Sequence, residues 1–252
     1  GGDFDLSVGS TVALAGVIAA IAIRDTGSVA IALASSLGCG TLVGALNGFV
    51  IAKIGINALI TTLATMQIVR GVALLASNGS SIGLSHESFS TIGLASPLDV
   101  QSPIWMTFGM FLVFGVLLNK TTFGRNVLAI GGNQEAARLA GVKVVRTKIL
   151  VFALQGLVAA FAGVVLASRI TSGQPTAAQG LELQVISACV LGGVSLTGGI
   201  GTISGTIMGV LIMGIVQNAM NLRNIQPFWQ LVVSGAILLA AVMLDRLRTR
   251  RA

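Results

Sequence analysis

Apolar stretches of about twenty residues recur along the whole chain and are separated by short polar segments. A helix of that length crosses the roughly 30 Å hydrocarbon core of a bilayer. The stretches are continuous and lack the alternation of a membrane β-strand, which favours helices over a barrel. The pattern therefore predicts an all-α fold, a polytopic transmembrane helical bundle. Its eight predicted spans are residues 6–23, 29–52, 57–76, 103–118, 149–168, 182–197, 201–221 and 227–244.

The composition supports the same fold class. Hydrophobic residues make up 54% of the 252 residues and charged residues only 9%, whereas a soluble domain carries about a quarter charged residues. The net charge of +7 could indicate nucleic acid as a partner, but most basic residues cluster in segments expected to face the cytoplasm. The sequence opens inside a glycine-rich motif without an initiator Met, so we expect one or more N-terminal spans to be missing from it.

Lysines and arginines also predict the orientation of the bundle. Lys53, the 119–148 loop and the basic tail "RLRTRRA" fall on one side when eight spans alternate, and they hold most of the basic residues. Cytoplasmic loops are enriched in Lys and Arg, so this side and the C-terminus are predicted to be cytoplasmic. The loops 77–102 and 169–181 are then predicted to be periplasmic.

Two predicted spans carry glycine at every fourth position, which stacks the glycines on one helix face and lets helices approach closely in lipid. These helix-packing glycines are Gly40, Gly44, Gly48, Gly201, Gly205 and Gly209. Residues 5–17 also align with residues 182–194, so spans one and two resemble spans six and seven. Five spans separate the copies, and an odd number predicts an inverted internal repeat, an architecture typical of transport proteins.

Catalytic motifs are missing from the sequence. It contains no phosphate-binding loop, no HExxH or GxSxG motif and no Cys/His cluster. We therefore expect a non-enzymatic protein with no metal and no cofactor. Four polar residues inside spans are candidates for a solute pathway: Gln67, Arg70, Gln155 and Asn218. Each has an alternative role, which is hydrogen bonding between helices for the amides and snorkelling to the interface for Arg70.

The 119–148 loop contains a short polar segment, "NQEAARLAGVKVVRTK", that predicts a helix of about two turns. Asn133 is a favourable N-cap, Glu135 suits the first turn and Gly141 suits the position after the helix. So short a helix is marginal in water and needs something to dock against. Either it rests on its own protein, or it inserts into a groove of another subunit.

Four motifs resemble those of the ribose/arabinose-type sugar permeases, the membrane subunits of bacterial ATP-binding-cassette (ABC) importers. They are "GGDFDLSVGS" (1–10), "ALITTLATMQIVRG" (58–71), "GRNVLAIGGNQEAARLAGV" (124–142) and "LGGVSLTGGIGT" (191–202). The third resembles the cytoplasmic coupling segment of that family, and the matching positions are Gly131, Asn133, Ala136, Ala137 and Gly141. The resemblance runs from end to end of the chain, as one permease domain over 1–252.

The resemblance implies a homodimer in the bacterial inner membrane, with about ten spans in each full chain as is usual for the family. It also implies an ABC ATPase subunit on the cytoplasmic face and a periplasmic sugar-binding protein. The 133–141 helix would enter the ATPase, with Glu135 and Arg138 setting its register. Asn57-Ala58 and Ala64 replace residues usual in ribose-type members, which favours L-arabinose as the sugar. The alternative is a self-contained secondary carrier or channel for a small neutral solute.

Overall fold

The computed structural model describes the backbone of residues 1–249 and the side chains of all of these except residues 227 and 244–249. Arg250 and Arg251 of the basic tail lie outside the described residues, as do the side chains of Arg246 and Arg248. The described helices are α1 (Val8–Thr26), α2 (Val29–Phe49), α3 (Ala58–Ala76), α4 (Glu87–Leu94), α5 (Ser102–Lys120), α6 (Thr122–Gly132), α7 (Gln134–Leu139), α8 (Val144–Arg169), α9 (Leu181–Leu191), α10 (Ile203–Leu222) and α11 (Pro227–Thr249).

Each predicted span corresponds to an apolar helix, and the bundle is almost entirely α-helical. Among the described residues, six helices are long and apolar enough to cross a membrane: α1, α2 with a π-helical extension over Val50–Ile54, α3, α5, α8 and α10. The remaining two predicted spans are shorter apolar helices, Leu181–Leu191 and Phe228–Met243. A short antiparallel pair of strands, β1 (Ile82–Gly83) and β2 (Ser172–Gly173), completes the described secondary structure.

The prediction of a full sixth span over 182–197 is wrong. Helix α9 has 11 residues and ends at Leu191, so it is about 16 Å long and too short to cross the bilayer core. Gly192 and Gly193 follow directly, and Gly193 has φ +83°, a left-handed conformation that ends a helix. An apolar run that continues through paired glycines therefore overstates the length of this helix.

The chain forms two compact units, which we name by their helices. The α1–α3 unit comprises Phe4–Met110 and Val145–Gln179. The α9–α11 unit comprises Gly1–Asp3, Phe111–Val144 and the residues from Gly180 onward.

Helix α1 forms the centre of the α1–α3 unit. Most of its residues are buried, and it packs against both α2 and α3. Helix α8 packs closely on it because Gly163 faces the backbone of Val12, where a larger residue would overlap the Val12 carbonyl oxygen. A cluster around Phe89 and Val164, both fully buried, joins α1, α4 and α8.

Helix α9 has the position in the α9–α11 unit that α1 has in the α1–α3 unit, because it packs against both α10 and α11. Ser10 and Ser187, which align with each other, make similar hydrogen bonds. Ser10 in α1 donates to the Ser7 carbonyl oxygen at 2.8 Å, and Ser187 in α9 donates to the Leu183 carbonyl oxygen at 2.7 Å. The two units thus share one pattern of helix pairing, and the inverted relation between them stays a prediction.

Candidate functional site

The loop predicted to couple to another subunit is itself helical. Helix α6 begins after Thr121, whose hydroxyl accepts from the Gly124 backbone N–H at 3.2 Å. Asn133 ends α6 in an extended conformation and caps α7, because its Oδ1 accepts from the Ala136 backbone N–H at 2.9 Å. This single residue therefore turns the chain between the two helices and satisfies one of the unpaired donors at the start of α7.

The end of α7 is formed by Gly141. Its φ is +85°, and its N–H donates to the Arg138 carbonyl oxygen at 3.0 Å, while the Val142 N–H donates to the Ala137 carbonyl oxygen at 3.0 Å. A residue with a side chain is strained in this left-handed conformation. The chain then enters α8 at Val144, so the short helix is joined to a membrane-length helix by four residues.

The residues of α7 divide between two faces. Ala137 is only 5% exposed and lies on the inner face, and α7 packs against α6. Leu139 is 87% exposed, and Glu135, Ala136 and Arg138 are exposed with it. We call these four exposed residues the outward face of α7. Ala137 therefore packs within its own chain and does not belong to the surface that α7 offers to a partner.

Gly131 lies at the end of α6 against another glycine-rich motif. A methyl group on Gly131 would overlap the backbone nitrogen of Gly199 and lie 3.1 Å from the Gly198 Cα. The motif at 191–202 therefore contacts the segment that leads into α7. Both lie in the α9–α11 unit.

The two loops predicted to be periplasmic, 77–102 and 169–181, meet within the α1–α3 unit, which includes the second loop up to Gln179. We call residues 77–102 and 169–179 the outer assembly. Strand β1 of the first loop pairs with β2 of the second, and the Leu84 N–H donates to the Thr171 carbonyl oxygen at 2.9 Å. Buried Ser168 donates to the Phe89 carbonyl oxygen at 2.7 Å and accepts from the Gly93 N–H at 2.8 Å. These bonds fix α4 to the end of α8.

Arg70 contacts this assembly and has a role that the sequence did not predict. Its guanidinium Nη1 donates to the carbonyl oxygens of Pro175 and Ala177, at 2.7 and 2.8 Å. The neighbouring Ala178 has φ +56°, a conformation unfavourable for alanine. Arg70 therefore holds a strained turn from its base in α3, and its place along a solute pathway stays a prediction.

The other three pathway candidates are distributed along separate helices. Gln67 is exposed on α3 and Gln155 is half-buried on α8, both in the α1–α3 unit. Asn218 is exposed on α10 in the α9–α11 unit. The structure brings none of the three into a common hydrogen-bonded cluster within its own unit, so their role in a pathway stays a prediction.

The glycines of α2 lie against α8. Methyl groups on Gly40, Gly44 and Gly48 would overlap the backbone or side chains around Phe152 and Gly156. In the other unit, methyl groups on Gly205 and Gly209 would overlap the carbonyl oxygens of Gly192 and Ala188 in and after α9. Gly201 differs, because it precedes α10 and a methyl group there would meet only the Val194 side chain at an ordinary 3.4 Å. Gly201 thus makes no close backbone contact of the kind that the other five glycines make, and its helix-packing role stays a prediction.

A buried polar cluster at one end of the α1–α3 unit was not predicted from the sequence. The Ser7 N–H and hydroxyl donate to Asp5 Oδ1 at 2.8 and 2.5 Å, and Asn47 Nδ2 donates to the Ser7 hydroxyl at 3.0 Å. The Thr65 hydroxyl donates to Asn47 Oδ1 at 2.6 Å. Burial raises the pKa of the Asp5 carboxyl, and the bonds from Ser7 partly oppose this shift. An Asn within an apolar helix was the signal that could have indicated the cluster.

The chain matches known proteins along nearly its full length. The family model described as branched-chain amino acid transport system / permease component matches residues 1–242. The L-arabinose transport system permease protein AraH of Escherichia coli (strain K12) is 62% identical over 249 residues, covering 99% of this chain and 76% of that protein. No solved structure matches the chain.

Two further relatives extend this comparison. The L-arabinose ABC transporter permease protein AraH of Azospirillum brasilense is 55% identical, covering 98% of this chain and 73% of the relative. The ribose import permease protein RbsC of Escherichia coli (strain K12) is 40% identical, covering 96% of this chain and 76% of the relative.

Proposed function

The chain belongs to the family of branched-chain amino acid transport system / permease components, and from this we propose that it is the membrane-spanning permease subunit of a bacterial ABC importer. It is a multi-pass protein of the inner membrane. The solute that we propose is a monosaccharide, with L-arabinose as the best candidate. A separate ATPase subunit drives the transport.

The observation that supports the proposed substrate is the ranking of sequence identities to the relatives. Two relatives named for L-arabinose match at 62% and 55%, whereas a relative named for ribose matches at 40% over the same region. A neutral sugar needs hydrogen-bonding groups and no counter-ion, and the amides Gln67, Gln155 and Asn218 can supply such groups. They remain the candidate pathway residues.

The outward face of α7 is the proposed contact with the ATPase. It combines the exposed apolar side chain of Leu139 and the small side chain of Ala136 with two charges of opposite sign, Glu135 and Arg138. Small and apolar groups allow close docking, and the charges fix its register. The cap at Asn133 and the left-handed turn at Gly141 make the helix rigid enough to act as a unit.

The outer assembly is the proposed receiving surface for a periplasmic sugar-binding protein. Its two loops are joined by the β1–β2 pairing, while Ser168 in α8 holds the first loop and Arg70 in α3 holds the second. A surface formed by two cross-braced loops keeps its shape when a partner docks, which reduces the ordering cost of binding. In the predicted orientation, where the 119–148 loop and the C-terminus are cytoplasmic, these two loops face the periplasm.

A second copy of the chain completes the proposed transporter. Only 6% of the apolar stretch of α5 and 17% of that of α10 is buried within this chain. Such faces suit lipid or another protomer, and both are available to a homodimer in the membrane.

The experiment that tests the function combines two measurements on the full-length permease. The permease is co-expressed with its candidate ATPase, purified by a tag on the permease, and reconstituted with the binding protein to measure uptake of radiolabelled L-arabinose. The variant is Leu139→Glu, which adds a charge to the outward face of α7. We expect it to lose the ATPase and the uptake together.

The matched control is Leu98→Glu, because Leu98 is 84% exposed but lies in the outer assembly. It should retain the ATPase at the wild-type level. If wild type takes up sugar without the ATPase, the chain is a self-contained carrier and the proposal is wrong. If unlabelled ribose competes as well as unlabelled L-arabinose, the proposed substrate is wrong while the importer remains.

A further inference from the structure

Three pairs of consecutive glycines that are far apart in the sequence meet in the α9–α11 unit. They are Gly1-Gly2, Gly131-Gly132 and Gly198-Gly199. The first pair precedes α1, the second ends α6, and the third lies in the turn between α9 and α10. We call this meeting of three backbones the glycine joint.

Contacts in the glycine joint run from backbone to backbone. A methyl group on Gly198 would lie 2.8 Å from both the Gly131 Cα and the Gly2 backbone nitrogen. A methyl group on Gly199 would lie 2.7 Å from the Gly132 Cα, and one on Gly131 would overlap the Gly199 nitrogen. Carbon atoms in contact stay about 3.5–4.0 Å apart, so no side chain fits at Gly131, Gly198 or Gly199.

The backbone conformation adds a second constraint. Gly2, Gly198 and Gly199 have φ values of +82°, +89° and +78°, which side chains rarely adopt. The turn therefore requires glycine at these positions, both for its backbone conformation and for its close neighbours. Backbone segments in direct contact have no rotamers to absorb a displacement, so a movement of one segment is passed to the other.

The glycine joint lies between the proposed coupling helix α7 and the membrane helix α10. Gly132 is followed directly by Asn133, the cap of α7, so the joint lies at the base of the proposed coupling helix. On its other side the turn leads into α10, which is packed against α9 through Gly205 and Gly209. Gly2 leads along the chain to Ser7 and the buried polar cluster at the start of α1.

We propose that the glycine joint transmits displacement of α7 to the α9–α10 pair, and that Gly131 is the positioning residue that keeps the two backbones in contact. This inference rests on the proposed function. It separates two tasks within the coupling segment: the outward face of α7 binds the ATPase, and Gly131 passes the resulting movement into the membrane helices.

The chain offers a matched pair of variants for the test. Gly131 has no left-handed φ, so Gly131→Ala acts through overlap alone and requires the contact to open by about 1 Å. The neighbouring Gly132→Ala meets nothing within 4 Å and serves as the control. Both are measured in the full transporter, reconstituted with ATPase and binding protein.

For Gly131→Ala we expect the ATPase to co-purify and hydrolyse ATP as in wild type, while L-arabinose uptake falls by about tenfold or more, since a misplacement of about 1 Å costs up to roughly 100-fold in a positioned system. Gly132→Ala should match wild type in all three readouts. A general folding defect would lower association and hydrolysis too, so the split between hydrolysis and uptake is the signature of transmission.

Equal uptake by the two variants would overturn the proposal while leaving the permease function intact. If Gly131→Ala does not yield folded protein, Gly2→Ala decides by the same readouts, with Gly27→Ala as its control. Both glycines have a left-handed φ, but only Gly2 has a contact, at 3.0 Å to the Thr197 carbonyl oxygen. Failure of wild type itself to bind the ATPase or take up sugar would instead contradict the proposed function.

Discussion

The α1–α3 and α9–α11 units pair their helices in the same way but are held together differently. In the first, α1 runs unbroken for 19 residues, and its start is fixed by the cluster of Asp5, Ser7 and Asn47. In the second, α9 stops after 11 residues, and its contact with α10 is made by glycines. Both units contain close glycine contacts, and the α1–α3 unit adds the buried hydrogen-bonded cluster at the start of its central helix.

Aligned positions show where this difference comes from. Ser7 corresponds to Gln184, and Asn47 corresponds to Met208 when the two glycine series are superimposed. Asn47 is 2% exposed whereas Met208 is exposed. A buried amide specifies one geometry, while glycine faces permit sliding between helices in lipid. We infer that the α9–α11 unit suits movement and the α1–α3 unit suits anchoring.

The largest effect is expected from disrupting the buried polar cluster at Asn47. Asn47→Ala deletes a donor to Ser7 and an acceptor for Thr65, and leaves both hydroxyls with a lost partner inside the unit. We expect a loss of about 2–3 kcal/mol of stability, since a buried polar group left without a partner costs about 1–3 kcal/mol. Thermal unfolding of the purified permease in detergent, followed by size-exclusion chromatography, measures the change.

The control is Met208→Ala at the aligned position of the other unit. Because Met208 is exposed in this chain, its truncation should change stability little. Equal effects of the two substitutions would show that the units are held together in the same way, which contradicts the comparison.

The second largest effect concerns the outer assembly of the α1–α3 unit. Arg70→Met removes two charge-assisted hydrogen bonds to Pro175 and Ala177, each of which contributes about 1.5–3 kcal/mol. The strained turn at Ala178 should then relax and become accessible. We expect faster proteolysis within 174–179 and a loss of stimulation by the binding protein, with hydrolysis in its absence unchanged.

Gln67→Met is the matched control for Arg70→Met. Gln67 lies one turn earlier on α3 and is exposed, and the substitution introduces the same side chain. An intact digestion pattern in Arg70→Met would mean that the turn keeps its shape without the guanidinium.

Local signals in the sequence predicted much of this structure. Asn133 and Gly141 bound α7 because a cap and a left-handed turn depend on neighbouring residues alone. The apolar runs likewise predicted where helices occur, since length and hydropathy suffice for that. The bundle and the family were therefore accessible before any coordinates.

Features that depend on distant residues were not accessible in this way. The family resemblance placed Ala137 in the coupling segment, but the fold turns its side chain inward against its own chain. Arg70 reaches carbonyl oxygens more than a hundred residues away, and the pairing of Gly131 with Gly199 likewise requires the tertiary fold. A single sequence records composition along a helix but not which face meets which neighbour.

The smallest expected effect on stability is at one aligned pair of glycines, and it is the most direct test of the difference between the two units. Gly16 in α1 and Gly193 after α9 correspond, yet Gly16 is helical whereas Gly193 has φ +83°. Gly193→Ala meets nothing within 4 Å and should cost about 1–2 kcal/mol through its left-handed backbone alone. Gly16→Ala gains up to about 1 kcal/mol of helix propensity against a 3.3 Å contact with the Gly163 carbonyl oxygen, so it should be nearly neutral.

Thermal unfolding of both variants in detergent measures this difference. A destabilised Gly193→Ala beside a neutral Gly16→Ala would show that the helix break after α9 is enforced by backbone conformation. The opposite order would mean that close packing around Gly16 matters more than the break, and that the shortness of α9 comes from its neighbours. In that case the two units would differ in their surroundings and not in their aligned glycines.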